Sequence, residues 1–420
     1  MKNNILIIGA NYSNKGAEAM LKTVRQHFDK GPQKSLYYML CHPGEKKLAE
    51  ADGFIPIVYK KPSIASQILN LLKRIIGKLR KILRYKQLPY LEKLPLNAIK
   101  KQELDLVIDI SGYAYGDFRG YPQAKEALKL IRYCNKKDIQ FYFLPQAWGP
   151  FSGSKFRYII NEILTSCTGY YSRDSISTQN IKTALNQPSY TIKQCADIAL
   201  TFKSAPSSLT QVSPIVDKIE IQKRHEKTIV GLSPNMRIFE KYSRHDLSNN
   251  TYLQALINII NYVSNSLNAF VLLIPNEMTY DNRTVDDRYI CQLLYSKSNQ
   301  ENTLLMDGYY SADEIKFIIG TLDCLVASRY HSLVFAFSAG IPCLSISWSH
   351  KYQQLFSLFG MENMVVEYDN IKTEDLNGRL KDLFEKRQSY RESILTRLPS
   401  QQYDINKMFD TITSNAIIHI

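Results

Sequence analysis

The sequence predicts an α/β protein built from two doubly wound, parallel-sheet domains facing a cleft. Three observations carry this. Short continuous apolar runs that end at glycine, serine or proline alternate with stretches of helical periodicity, the pattern of buried parallel strands joined by helices. The rhythm breaks over 203–227 and restarts at 228. The chain has 420 residues, enough for two cores of ordinary size.

The elements follow in order. The run ILII at 5–8, closed by Gly9, is the first strand. A polar loop, NYSNKG at 11–16, leads into the helical run AEAMLKTV at 17–24. Strand, glycine loop and helix together offer amides and a helix N-terminus to an anion. The spacing is not GxGxxG, so a dinucleotide is not indicated. Further strands are expected at 35–40, 105–110, 140–146 and 169–173, with a helix starting near Asp174. KSAPSS at 203–208 has linker chemistry, and 218–227 is heavily charged. Strands resume at 228–233, 270–275, 322–327 and 342–347, with helices at 252–260 and 333–339. The expected division is a first domain over 1–205, a linker over 206–227, a second domain over 228–395, and a helical tail over 396–420. The cleft between the domains is the default site.

Composition narrows the partners. Hydrophobic residues make up 45% and charged residues 22%, an ordinary globular mixture. The formal charge of +14 favours anionic partners. The 28 tyrosines suit sugar contacts but are read as compositional bias. Seven cysteines, an odd number with no CxxC spacing, read as small core residues in a reducing compartment. The N-terminus shows no secretory pattern, and no run approaches the roughly 20 apolar residues of a spanning helix. A cytoplasmic protein is expected. The exception to ordinary composition is an insertion at about 60–95. Residues 60–86 carry nine Lys or Arg and no acid. Ile68, Leu71, Leu72, Ile75, Ile76, Leu79, Ile82 and Leu83 form an apolar stripe. Such a helix fits the anionic inner face of the plasma membrane through 63–86, or packs on its own domain. No groove-reading or stacking motif accompanies the charge, so nucleic acid is not expected.

Candidate site residues cluster at strand ends. In SRYHS, residues 328–332, Arg329 and His331 follow a strand and open a helix, with Ser328 or Ser332 available to cap it. An arginine there can take a carboxylate or phosphate through two donors, and a histidine can move a proton near neutral pH. Arg237 follows the strand at 228–233, and Asn276 and Glu277 follow that at 270–275. Ser111, Gly112 and Gln146 end strands of the first domain, and Asp197 lies near the domain edge. GxSxG, GxxxxGK[ST] and HExxH are all absent. Asp286-Asp287 is an acidic pair without partners at metal spacing, and no metal requirement is expected.

These pieces, in this order, resemble the polysaccharide pyruvyl transferase family. The residues that carry it are IIGANYSNKGAEAM at 7–20, DISG at 109–112, PQAWGPF at 145–151, SRD at 172–174, ADIA at 196–199, and SRYH through AGIP at 328–342. The resemblance implies two Rossmann-like domains in the GT-B-like arrangement. It implies transfer of the enolpyruvyl part of phosphoenolpyruvate to a sugar hydroxyl, giving a pyruvate ketal on a surface polysaccharide or its lipid-linked precursor. The family's arginine–x–histidine falls on Arg329 and His331, read as catalytic, and its earlier arginine on Arg237. Tyr330 and Ser332 beside them, and Asn276, which stands where family members often carry histidine, complete with Arg237 and Arg329 the expected donor side. Asn14, Lys15, Gly16, Glu18, Ser111, Gly112 and Gln146 fall on the acceptor side. Phosphoenolpyruvate is a co-substrate, and no cofactor is implied. Two other readings stay open: a nucleotide-sugar glycosyltransferase on the same scaffold, and a non-catalytic membrane-associated partner in glycan assembly.

Overall fold

In a computed structural model of the chain, residues 3–31, 34–59, 94–186, 191–205, 210–242, 244, 246–280 and 282–418 are described. The basic segment 63–86 lies outside them. The first sheet holds β1 Asn3–Ile8, β2 Ser35–Cys41, β3 Ile55–Val58, β4 Leu106–Asp109, β5 Gln140–Gln146 and β6 Gly169–Ser172. The second holds β7 Thr228–Ser233, β8 Ala269–Leu273, β9 Thr303–Leu305, β10 Cys324–Ala327, β11 Cys343–Ser347 and β12 Val365–Glu367. Every pairing is parallel.

The strand orders are β3-β2-β1-β4-β5-β6 and β12-β11-β10-β7-β8-β9. Counted from β7, the second order repeats the first. Each sheet therefore reverses direction once, between β1 and β4 and between β7 and β10. In doubly wound sheets that point, at the carboxyl ends of the strands, is where ligands bind. The central strands are apolar on both faces because helices cover both: β4, β5, β8, β10 and β11 are buried throughout.

The chain divides into two compact units. One contains Met1–Ala10, Gly31–Gln194 and the last five residues, the other Asn11–Lys30 and Cys195–Asn415. This differs from the expected division in an instructive way. The helix Lys15–Phe28 follows β1 in sequence but packs in the second unit. Its buried face includes Ala19, Met20, Leu21, Val24 and Phe28. The ring of His27 stacks on Phe409 at 4.0 Å, and Phe28 meets the same ring edge-on. Lys22 pairs with Asp313 at 2.8 Å.

Other expectations need correction. The segment 206–227 is not simply a linker: it contains the helix Ser213–Arg224, started by a proline in its first turn and fixed by buried Ile215 and Ile219. The final helix is Arg387–Ile418, so it begins well before 396. The helix expected at 333–339 is Tyr330–Ser338. The strands β3, β9 and β12 were not expected. Each is an edge strand of three or four residues. No helix among the described residues is long and apolar enough to cross a membrane.

Candidate active site

The second unit gathers its charged groups where its sheet reverses. Arg329 occupies the N-cap position of the helix Tyr330–Ser338 without a side-chain cap bond. Neither flanking serine caps the helix as expected. The Ser328 hydroxyl instead accepts from the Tyr252 hydroxyl at 2.8 Å. The Ser332 hydroxyl meets Ser233 Oγ at 2.9 Å and accepts from Asn276 Nδ2 at 3.0 Å. These buried bonds lock the ends of β7, β8 and β10 together.

Asp287 completes that lock. It is fully buried, and its two oxygens receive the amides of Met236 at 2.9 Å, Asn276 at 3.2 Å and Glu277 at 2.8 Å. The guanidinium of Arg329 also contacts it. The acidic pair dismissed in the sequence thus includes the carboxylate on which three strand ends converge. Burial raises the Asp287 carboxyl above its ordinary range, against the pull of Arg329.

Glu277 is the second acid of the cluster. Its Oε2 lies 2.6 Å from Arg329 Nη1, and its Oε1 accepts from Arg237 Nη2 at 2.7 Å. Burial alone would raise its carboxyl; Arg329 and then Arg237 outweigh that and hold it down to about 2. The two arginines differ in setting. The Arg329 side chain is 10% exposed and is held between two acids, whereas Arg237 is 63% exposed and pairs with Glu277. The acids hold Arg329 firmly charged despite burial.

The loop before the helix Lys15–Phe28 is stitched onto the same place. Lys15 N donates to the Asn276 carbonyl at 3.1 Å, and Met278 N donates to the Ser13 carbonyl at 2.7 Å. Asn14 caps its helix by accepting from Gly16 N at 3.0 Å. Gly16 is required by contact: a Cβ there would lie 1.8 Å from the His331 ring. On its other side, His331 Nε2 lies 3.6 Å from Asp197 Oδ2. Tyr330 presents its ring at 5.6 Å to Tyr352, with the Lys351 ammonium 5.0 Å from its centre.

The seven residues expected on the acceptor side are drawn from both units. Asn14, Lys15, Gly16 and Glu18 belong to the second unit, and Ser111, Gly112 and Gln146 to the first. Lys15 and Glu18 are buried and paired with each other at 3.0 Å. Lys15 also donates to the Tyr12 carbonyl at 2.6 Å, while Glu18 receives the Ala312 amide at 2.9 Å. In the first unit, buried Asp109 receives Ser111 N at 2.8 Å, Gln146 Nε2 at 3.0 Å and the Tyr115 hydroxyl at 2.6 Å. Burial raises its carboxyl and pushes the Tyr115 phenol well up. A Cβ on Gly9, where φ is +85°, would lie 2.3 Å from Ser111 Oγ, so that position is closed to other residues.

Two six-stranded parallel sheets with flanking helices define a pair of Rossmann-like domains, and solved structures agree. A UDP-GlcNAc 2-epimerase from Neisseria meningitidis bound to UDP-GlcNAc superposes with a TM-score of 0.57 at 10% identity, covering 99% of this chain and 100% of its own. A glycosyltransferase from Rickettsia africae gives 0.54 at 10% identity, covering 99% of each chain. Anabaena HepE, in complex with UDP and glucose, gives 0.55 at 11% identity, covering 100% of each. At these identities the likeness is one of fold. The family is fixed by sequence: the profile of the polysaccharide pyruvyl transferases matches residues 14–350. The chain belongs to the polysaccharide pyruvyl transferase family.

Proposed function

We propose that the protein moves the pyruvyl group of phosphoenolpyruvate onto a sugar of a surface polysaccharide or its lipid-linked precursor, closing a pyruvate ketal. The observation that carries this reading is the pairing of an exposed and a buried arginine through Glu277, beside His331, at the carboxyl ends of β7, β8 and β10. A donor with a carboxylate and a phosphate needs cationic contacts, and Arg237 offers a guanidinium already oriented by one acid. Arg329, paired through one terminal nitrogen with Glu277 and through the other with Asp287, holds the strand ends and the charge balance of the site. Asn276 and Ser332, buried and bonded to each other, support it from behind.

In the chemistry, His331 delivers a proton to the methylene carbon of the enol, leaving an oxocarbenium centre at the adjacent carbon. One sugar hydroxyl adds there. Phosphate departs with its bridging oxygen, and a second hydroxyl closes the ketal. Of the two hydroxyl protons, one restores His331 and the other leaves with phosphate. Asp197 positions the imidazole, and Gly16 makes room for it. Work at the cytoplasmic face of the membrane fits a lipid-linked acceptor and the basic run 63–86.

Thermal unfolding with phosphoenolpyruvate, inorganic phosphate and UDP tests the donor. A shift greater with phosphoenolpyruvate than with phosphate, and lost in Arg237→Ala, is expected. Stabilisation by UDP alone would overturn the reading. A His331→Ala variant that folds normally and keeps its turnover would remove the acid assigned here.

A further inference from the structure

The loop that follows β4, residues 111–120, stands where the first sheet reverses direction, and it is held unusually firmly. Tyr115 is buried within it, bonded to Asp109 and stacked on Trp148 at 5.2 Å. Ala147 N donates to the Gly112 carbonyl at 2.8 Å, and Gly149 N to the Tyr115 carbonyl at 2.7 Å. Asp117 receives both the amide and the hydroxyl of Ser152, at 2.8 and 2.6 Å. On this fixed loop the chain displays aromatic rings to solvent. Phe118 is 43% exposed and stacks on half-buried Tyr113 at 4.0 Å; Tyr121, at the start of the next helix, is 38% exposed. Cations border them: Arg119 lies 5.9 Å from the Phe118 ring, and Lys155 and Lys125 lie 5.2 and 5.8 Å from that of Tyr121.

Large exposed rings gain nothing from water, and a loop anchored this often loses little freedom when a ligand arrives. A pyranose offers the matching surface: a face of C–H bonds to lie on a ring and a rim of hydroxyls for the tyrosines. We propose that Tyr113, Phe118 and Tyr121 form a stacking platform for the acceptor, and that this acceptor is a saccharide bearing an anionic group taken by Arg119, Lys125 and Lys155. The inference rests on the polysaccharide reading and names the chemical class of its acceptor.

Calorimetric titration of the full chain with tetragalacturonate, maltotetraose and glucose 1-phosphate, without phosphoenolpyruvate, tests it. At least one of the two anionic sugars binds more tightly than maltotetraose, and which one does identifies carboxylate or phosphate as the group read. Phe118→Ala with Tyr121→Ala weakens that binding at least tenfold, with unchanged melting. Lys125→Gln with Lys155→Gln weakens the anionic sugar and not maltotetraose. Absence of binding by either anionic sugar, or binding indifferent to the ring and lysine substitutions, overturns the platform. If phosphoenolpyruvate still protects the protein in that case, the donor reading stands while the platform falls. Sugar binding without phosphoenolpyruvate protection gives the reverse.

Discussion

At the scale of single residues, the two arginines near Glu277 separate stability from ligand binding. Replacing Arg329 with methionine leaves buried Asp287 without its cation and Glu277 with Arg237 alone, and breaking such a buried pair costs about 3–5 kcal/mol. Replacing exposed Arg237 with alanine removes a bridge worth at most ~1 kcal/mol. Urea unfolding is expected to rank them in that order, while phosphoenolpyruvate protection is lost in Arg237→Ala with the fold intact. The depressed Glu277 carboxyl also sets an acid limb. Its contribution is fully present above the ordinary carboxylate value of 4.5 and is lost as pH falls toward about 2. The amount is about 3 kcal/mol. Melting temperatures of wild type and Glu277→Gln should therefore converge across that window; a constant gap would refute the assignment. The sequence showed Arg237, Arg329 and His331 as strand-end residues. Asp287 stayed hidden because its partners are backbone amides from segments 51 and 10 residues away and a guanidinium 42 away.

At the scale of elements, the helix Lys15–Phe28 is the informative case. Its far end rests on the long final helix through His27, whose imidazole is held down to about 4 by burial, helped by Lys30 and Lys203. A lowered histidine favours the fold above its ordinary value of 6.5 and loses that contribution as pH drops from 6.5 toward 4. Melting at pH 5 should fall below that at pH 7.5 by less in His27→Phe, which keeps the stack and removes the titration. An equal fall in both would exclude His27 as the source. Strand–loop–helix was legible at this terminus, because apolar run, glycine and periodicity are local. The unit the helix joins was not, since that depends on Phe409 and Asp313, hundreds of residues downstream.

At the scale of the whole molecule, two parallel sheets could be read from the alternation of runs, since a strand buried on both faces must be apolar without interruption. Of the four edge strands, β6 was legible and β3, β9 and β12 were not. The charge of +14 and the acid-free run 60–86 belong to the same scale. Vesicles rich in phosphatidylserine should pellet the protein at low salt, and deletion of 63–86 should abolish this. Unchanged pelleting after the deletion would assign the charge to soluble anions instead.

The chain passes from the first unit to the second at residue 11, returns at 31 and leaves again at 195. This has a consequence for synthesis on the ribosome. The helix Lys15–Phe28 emerges among the first residues, yet the surfaces that cover Ala19, Met20, Leu21, Val24 and Phe28 are made only after residue 195. For much of translation a nascent chain carries an apolar helix whose covering surfaces have not yet been made. A polypeptide released near residue 205 should be insoluble or chaperone-bound, while one lacking only the last few residues should not.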